Sequence, residues 1–330
     1  MRATSFATLL ERFFVERLMR QRQASPHTVS SYRDTFRLLL HFANQRLKKP
    51  PSQLTFEEVD APLVAAFLDE LEVSRKITAR SRNLRLTAIR SFFRYAAYEE
   101  PAHASQIQRV LAIPGKRCVK ALVRFLDRAE MEALLAAPDQ HTWHGHRDYV
   151  LLLVAVQTGL RLSELTSLRH EDVHLGSGAH VRCIGKGRKE RTTPLAKQAV
   201  TALKGWLPHL PKNSDRLFPN AQGDRLSADA VQRLLAKYQR VACRVCPSLK
   251  QKRVTPHVLR HTLAMTLLQA GIDRSVIALW LGHESVETTQ IYLDADLALK
   301  EKILAKTTKG NQRPRLFKPG DRLLAFLKGL

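Results

Sequence analysis

The sequence predicts a mainly α-helical protein carrying one small β-hairpin or sheet, folded as two domains joined by a basic linker. Apolar residues recur at helical spacing behind capping signals along most of the chain. Strand-like alternation stands out once, around the glycine-lysine turn GKGRK at 185–189. Between about 99 and 120 the helical period gives way to EEPAHASQ and AIPGKRCVK, which are rich in proline, glycine and positive charge.

The first domain is expected over residues 1–99. Its opening stretch, MRATSFATLLERFFVERLMRQ, reads as a charged amphipathic helix. Ser25 caps the next helix, with Pro26 at its first position and Val29, Tyr32, Phe36, Leu39 and Leu40 along one face. Thr55 and Glu58 have capping-box spacing and predict a helix through Val59, Leu63, Ala66 and Leu68. A further helix runs from about Thr78 to Tyr98, turning Leu84, Ala88, Ile89, Phe92 and Phe93 inward. Residues 100–119 are read as the linker.

The second domain is expected over 120–305. Asp127 and Glu130 cap a helix through Met131, Leu134 and Leu135. The polar HTWHGH, with His141, His144 and His146, reads as a solvated loop despite its ligand-like spacing. Tyr149 to Val156 follows as a buried helix that stops at Thr158-Gly159. AHVRCI (179–184) and a strand ending before Pro194 form the hairpin, and helices follow at 196–207, 227–240, 257–269, 274–281 and 285–299. The tail, 306–330, has seven basic residues and one acid, and its Pro and Gly break any continuous helix. Leu323, Leu324, Phe326 and Leu327 are expected to dock on a neighbouring subunit or back on their own domain.

The composition narrows the partner. The 330 residues hold 54 Lys+Arg against 30 Asp+Glu, a formal net charge of +24 and a pI near 10.4, which points to a polyanion, with nucleic acid first. From 75 to 94 the chain carries Arg75, Lys76, Arg80, Arg82, Arg85, Arg90 and Arg94 without one acid, and phosphate contact is expected there. No apolar run approaches the ~20 residues of a membrane span, and no cleavable signal is visible, so the reading is cytoplasmic and without a membrane partner. Cys243 and Cys246 form a CxxC without a second ligand pair. Together with Cys118 and Cys183 they are expected as reduced packing residues, and no metal is expected.

Scattered over the second domain are Arg161, Lys186, His257, Arg260, His283 and Tyr292. Arg161 lies on a turn in TGLRLSEL, and His257 and Arg260 project together from the first turn of a helix opened by Thr255-Pro256, near its positive end. Two arginines can hold a phosphate bidentately and stabilise a pentacoordinate transition state, so protein cations replace a metal. The nucleophile would then be Tyr292, with His257 as a candidate base and His283 as a hydrogen-bonding partner. Lys186, expected on the hairpin turn, could protonate the leaving 5′-oxygen as general acid. Lys189 is the alternative on that turn, and the GKG frame favours Lys186. The product expected of such a set is a 3′-phosphotyrosyl bond, and attack by a 5′-hydroxyl would rejoin the strand without ATP.

In this order and spacing, TGLRLSEL, IGKGRKER, HVLRH, LGH and ETTQIYL resemble the motifs of the tyrosine recombinases, or phage integrases, in their Xer-like branch. SPHTVSSYRDTFRLLLHFA and the helix ending in FFRYAAY are similar to the family's SAM-like core-binding domain. The resemblance implies a catalytic domain over 120–305 whose six active-site positions are filled by the residues just named. It also implies a C-shaped clamp on double-stranded DNA, acting at a specific recombination site without a cofactor. The clamp would assemble as a homo-tetramer, or as a hetero-tetramer with a related recombinase, and exchange strands through a Holliday junction, with a mobile genetic element as its expected setting. The tail after 305 extends past where compact Xer-like chains end.

Three other readings have distinct signatures. A relaxing topoisomerase would use the same chemistry on arbitrary DNA as a monomer. A binding protein that kept the clamp without catalysis would not need the six-residue set. A metal-dependent nuclease would need clustered carboxylates, which the candidate site lacks.

Overall fold

A computed structural model describes residues 5–118, 123–185 and 190–282. The chain divides into two compact units, Met1–Lys120 and Ala121–Leu330.

The first unit is helical. Ser5 caps α1 (Phe6–Arg12), which continues as a π-helical stretch over Phe13–Gln21. Ser25 caps α2 (Pro26–Leu47), as its Ser-Pro signal predicts. α3 covers Ala61–Arg75 and α4 Ala79–Glu99, the latter capped by Thr78. Phe13 and Phe36 each meet Phe92 edge-on, with ring centroids 5.5 and 5.4 Å apart, and Phe6 does the same at 5.4 Å. That offset suits the ring quadrupoles and fixes how α1, α2 and α4 pack.

Several expectations need correction here. Glu58 does accept the Thr55 N–H at 3.0 Å, but the segment stays a turn. Asp60, followed by Pro62, caps α3 instead and accepts the Leu63 N–H at 2.8 Å. Leu84 is 62% exposed rather than inward. The stretch read as linker holds α5 (Ala104–Ala112), whose Ile107 and Val110 are fully buried in the first unit's core. Its two apolar anchors are too few for the helical period to show, yet they suffice once α4 offers a surface.

In the second unit the expected capping box of Asp127 and Glu130 forms and opens α6 (Arg128–Ala136). α7 (Trp143–Thr158) is central, with every residue from Val150 to Val156 buried. It begins earlier than expected: Thr142 caps it, so His144 and His146 are helical, and His146 packs on Trp206. After α8 (Leu162–Ser167) comes an antiparallel sheet of β1 (Val173–His174), β2 (His180–Ile184) and β3 (Glu190–Pro194), in that order. β2 and β3 are the expected hairpin, and β1 escaped notice because two residues show no alternation. α9 (Lys197–Trp206), α10 (Ala228–Ala242), α11 (Pro256–Gln269) and α12 (Arg274–Leu281) lie close to their expected ranges. The helix expected at 285–299 and the tail at 306–330 lie outside the described residues.

Candidate active site

Two glycines frame the site. α7 stops at Gly159 (φ 62°) and α12 at Gly282 (φ 65°), both left-handed, where glycine alone carries little strain. A Cβ on Gly159 would lie 2.6 Å from Cδ2 of Leu281, so the glycine also permits the close approach of the two helix ends.

Helix ends leave carbonyls without helical partners, and here arginines supply the donors. Arg260 on α11 donates from Nη1 to the Gly159 carbonyl and from Nη2 to the Leu281 carbonyl, each at 2.7 Å. Arg161, the N-cap residue of α8, donates from Nη2 to the next carbonyl, that of Gly282, at 2.8 Å. Consecutive carbonyls at the end of α12 therefore hold both candidate phosphate-binding arginines together, at the residue preceding His283 in sequence. Arg260 is buried, whereas the Arg161 side chain keeps 27% of its surface exposed.

Glu164 completes the cluster, and sequence reading missed it. Its Oε2 accepts the Arg161 backbone N–H at 2.7 Å and its Oε1 accepts Arg161 Nη1 at 3.0 Å. Arg191 on β3 closes the other side, with Nη1 donating to Oε1 at 3.0 Å and Nη2 to Oε2 at 2.8 Å. Burial would push the Glu164 carboxyl up, but the bonds from Arg191 and Arg161 outweigh it and hold it down to about 2. A usable signal was present: in RLSEL the glutamate stands three residues after a turn arginine, at capping-box spacing.

His257 is exposed at the start of α11, and its ring lies 6.4 Å from that of His261 one turn on. Burial, reinforced by His257 and Arg260, lowers the His261 imidazole to about 4, so it is neutral at pH 7. Lys186, its alternative Lys189, His283 and Tyr292 lie outside the described residues. The described part is thus a cluster of fixed cations that could receive an anion, and the expected nucleophile and general acid fall outside it.

The basic segment of the first unit divides. Arg75, Lys76 and Arg80 are exposed. Arg82 is instead buried and ion-paired to Glu72 at 3.3 Å. Arg85 bonds to Thr35 Oγ1 at 3.1 Å, and Arg90 to the Ile113 carbonyl. Arg82 departs from the phosphate-facing surface expected of it, because Glu72, outside the acid-free stretch, pairs with it; Arg85 and Arg90 stay half-buried. Among the described residues no three His, Cys, Asp or Glu side chains gather as a metal site. Cys183 is buried, and Cys243 and Cys246 are free and half-buried.

Comparison with known proteins gives these features a family. Residues 124–298 match the profile described as the phage integrase family, more than half of the chain. The chain belongs to the phage integrase family. Residues 11–100 of this integrase match the family's N-terminal SAM-like domain. It is 63% identical to the candidate integrase/recombinase y4rC of Sinorhizobium fredii over 99% of this chain and 98% of that one. It is 34% identical to the tyrosine recombinase XerC of Pelotomaculum thermopropionicum, over 84% and 91% of the two chains. Its fold is similar to that of XerH site-specific recombinase, solved with a palindromic difH substrate in a post-cleavage complex (TM-score 0.70, 22% identity, covering 92% and 85%). The integrase is accordingly a tyrosine recombinase, an enzyme of DNA recombination.

Proposed function

We propose that this integrase cuts and rejoins double-stranded DNA at a specific site through a 3′-phosphotyrosyl intermediate, with Tyr292 as nucleophile. The observation that carries the reading is the convergence of Arg161 and Arg260 on adjacent carbonyls of α12. Two guanidiniums held this close, with one buried carboxylate shared by Arg161 and Arg191, leave a surplus of positive charge that suits an anion. The two guanidiniums bind the non-bridging oxygens of the scissile phosphate and neutralise the charge that builds in the transition state. His257 takes the proton of the attacking phenol, His283 bonds to the phosphate, and Lys186 delivers a proton to the departing 5′-oxygen. No ATP is needed, because the phosphotyrosine conserves the bond energy for rejoining.

Arg75, Lys76 and Arg80 contact DNA phosphates in this reading. The working form is a tetramer, homomeric or shared with a related recombinase, that passes through a Holliday junction. A mobile genetic element is the natural setting, given the integrase/recombinase name of its 63%-identical relative. No helix among the described residues is long and apolar enough to cross a membrane, and the site of action is the cytoplasm.

The test is a denaturing trap of the protein on DNA of its native replicon, with the covalently attached ends sequenced and Tyr292→Phe run alongside. Ends that pile up at one short sequence for the wild type alone support the proposal. Adducts scattered over the DNA would favour a relaxing topoisomerase. Adducts that persist in Tyr292→Phe would remove Tyr292 as nucleophile, and their absence from both samples would leave a binding role.

A further inference from the structure

We infer that Arg191 is a positioning residue of the recombinase site, which engages Glu164 so that Arg161 keeps its positive charge for the scissile phosphate. This rests on the reading of Arg161 as a phosphate ligand.

The geometry leads there stepwise. Glu164 has a side chain only 3% exposed, and it takes two donors from Arg161 and two from Arg191. Paired with Arg161 alone, the carboxylate would neutralise the guanidinium it orients, and a neutral pair is a poor anion site. With Arg191 present the cluster holds two cations and one anion, so one positive charge remains beside the exposed edge of Arg161. The arrangement is also dry: the Arg191 side chain is 14% exposed, so water screens these charges little.

Placement adds a second role. Arg191 opposes Cys183 in the β2–β3 ladder and stands two residues past 186–189 in sequence, the segment that carries Lys186. A Cβ on Gly282 would fall 2.9 Å from Arg191 Nη1, so the guanidinium packs against the same residue whose carbonyl holds Arg161. One side chain thereby ties the hairpin, α8 and the end of α12 to a common point. Lysine cannot reproduce this, because its ammonium lacks the planar fork that spans both carboxylate oxygens.

The electrostatics make a prediction that a purely structural role does not. In Arg191→Gln the carboxyl of Glu164 keeps its burial, which raises its pKa, and loses the first of the interactions that lower it. Above that new pKa, ionised Glu164 occupies the charge of Arg161. Below it, neutral Glu164 releases that charge to the phosphate. Cleavage by Arg191→Gln should therefore fall as pH rises, along a limb that the wild type, with Glu164 ionised throughout, does not have.

The experiment measures single-turnover cleavage of a nicked duplex bearing the sequence recovered by the covalent trap, from pH 5.5 to 9. It compares the wild type, Arg191→Gln, Arg191→Lys and the double variant Glu164→Gln/Arg191→Gln, with gel-shift affinity and melting temperature for each. Arg191→Gln should lose about tenfold or more at neutral pH with DNA affinity nearly unchanged. It should show the falling limb, and the double variant should regain rate and lose the limb. Arg191→Lys should fall between wild type and Arg191→Gln, and it carries the test of the fork should Arg191→Gln fail to fold. A wild-type pH profile in Arg191→Gln, a double variant no faster than the single one, or full activity in Arg191→Lys overturns the inference. Failure of the wild type itself to cleave overturns the recombinase reading along with it, whereas the three preceding results leave that reading intact.

Discussion

Basic side chains are held in two different ways in the two units. In the first, Arg75, Lys76 and Arg80 stand exposed in a stretch without acids, while Arg82 from the same stretch is buried against Glu72. In the second, Arg161, Arg191 and Arg260 are fixed by carbonyls and one carboxylate, and several of their donors are engaged before any ligand arrives. An exposed arginine meets a phosphate by reorganising, and what it gains is affinity. A pre-fixed guanidinium pays its ordering cost on folding, so its attraction is available to the transition state. Charge density in a sequence does not separate these uses, because the distinction lies in what each guanidinium is bonded to.

The largest effect that would break the comparison is in the fixed set. Arg161→Ala should cut cleavage by about 10²–10³ while DNA affinity changes little, since many other cations bind the phosphates. Arg260→Ala should match it in cleavage and also lower the melting temperature, because the Gly159 and Leu281 carbonyls lose their donor. Equal loss of binding and cleavage would reduce both residues to docking groups.

The next effect sharpens the contrast inside the basic helix. Arg82→Ala leaves Glu72 without its buried partner and should cost about 2–3 kcal/mol of stability, with the salt dependence of DNA binding unchanged. Arg80→Ala should do the reverse: stability within about 0.5 kcal/mol, and a slope of log affinity against log salt shallower by about 0.9. Denaturant melts and binding titrations at several salt concentrations measure both. Identical behaviour of the two variants would mean that exposure does not predict role here.

How much of this was legible depended on the range of the interaction. Caps and apolar periods are local, so Ser25-Pro26, Thr78, Asp127 with Glu130 and the Gly159 stop all stand where the sequence placed them. Motif spacing likewise brought out Arg161 and Arg260, which the fold then joins. What escaped was settled by distant partners. Arg82 meets Glu72, which lies outside the acid-free stretch, and α5 is stabilised by the surface of α4. Arg191 falls in the second predicted strand, where nothing local singles it out, and only the fold brings it onto Glu164.

The smallest effect concerns histidine, and it tests whether the fixed set tolerates added charge. His261 lies beside Arg260 with its pKa lowered to about 4, against about 6.5 for an unfolded histidine. Its folded-state value is the depressed one, so the folded form disfavours the imidazolium. Its contribution to stability is then fully present above pH 6.5 and is lost as pH falls from 6.5 through 4. His261→Gln removes that ionisation, and its melting temperature should decline less than the wild type's across this window while nearly matching it at pH 8. Parallel curves for the two proteins would mean that His261 accepts a proton in the fold without penalty, and that the ground beside Arg260 is wetter than the packing of α11 implies.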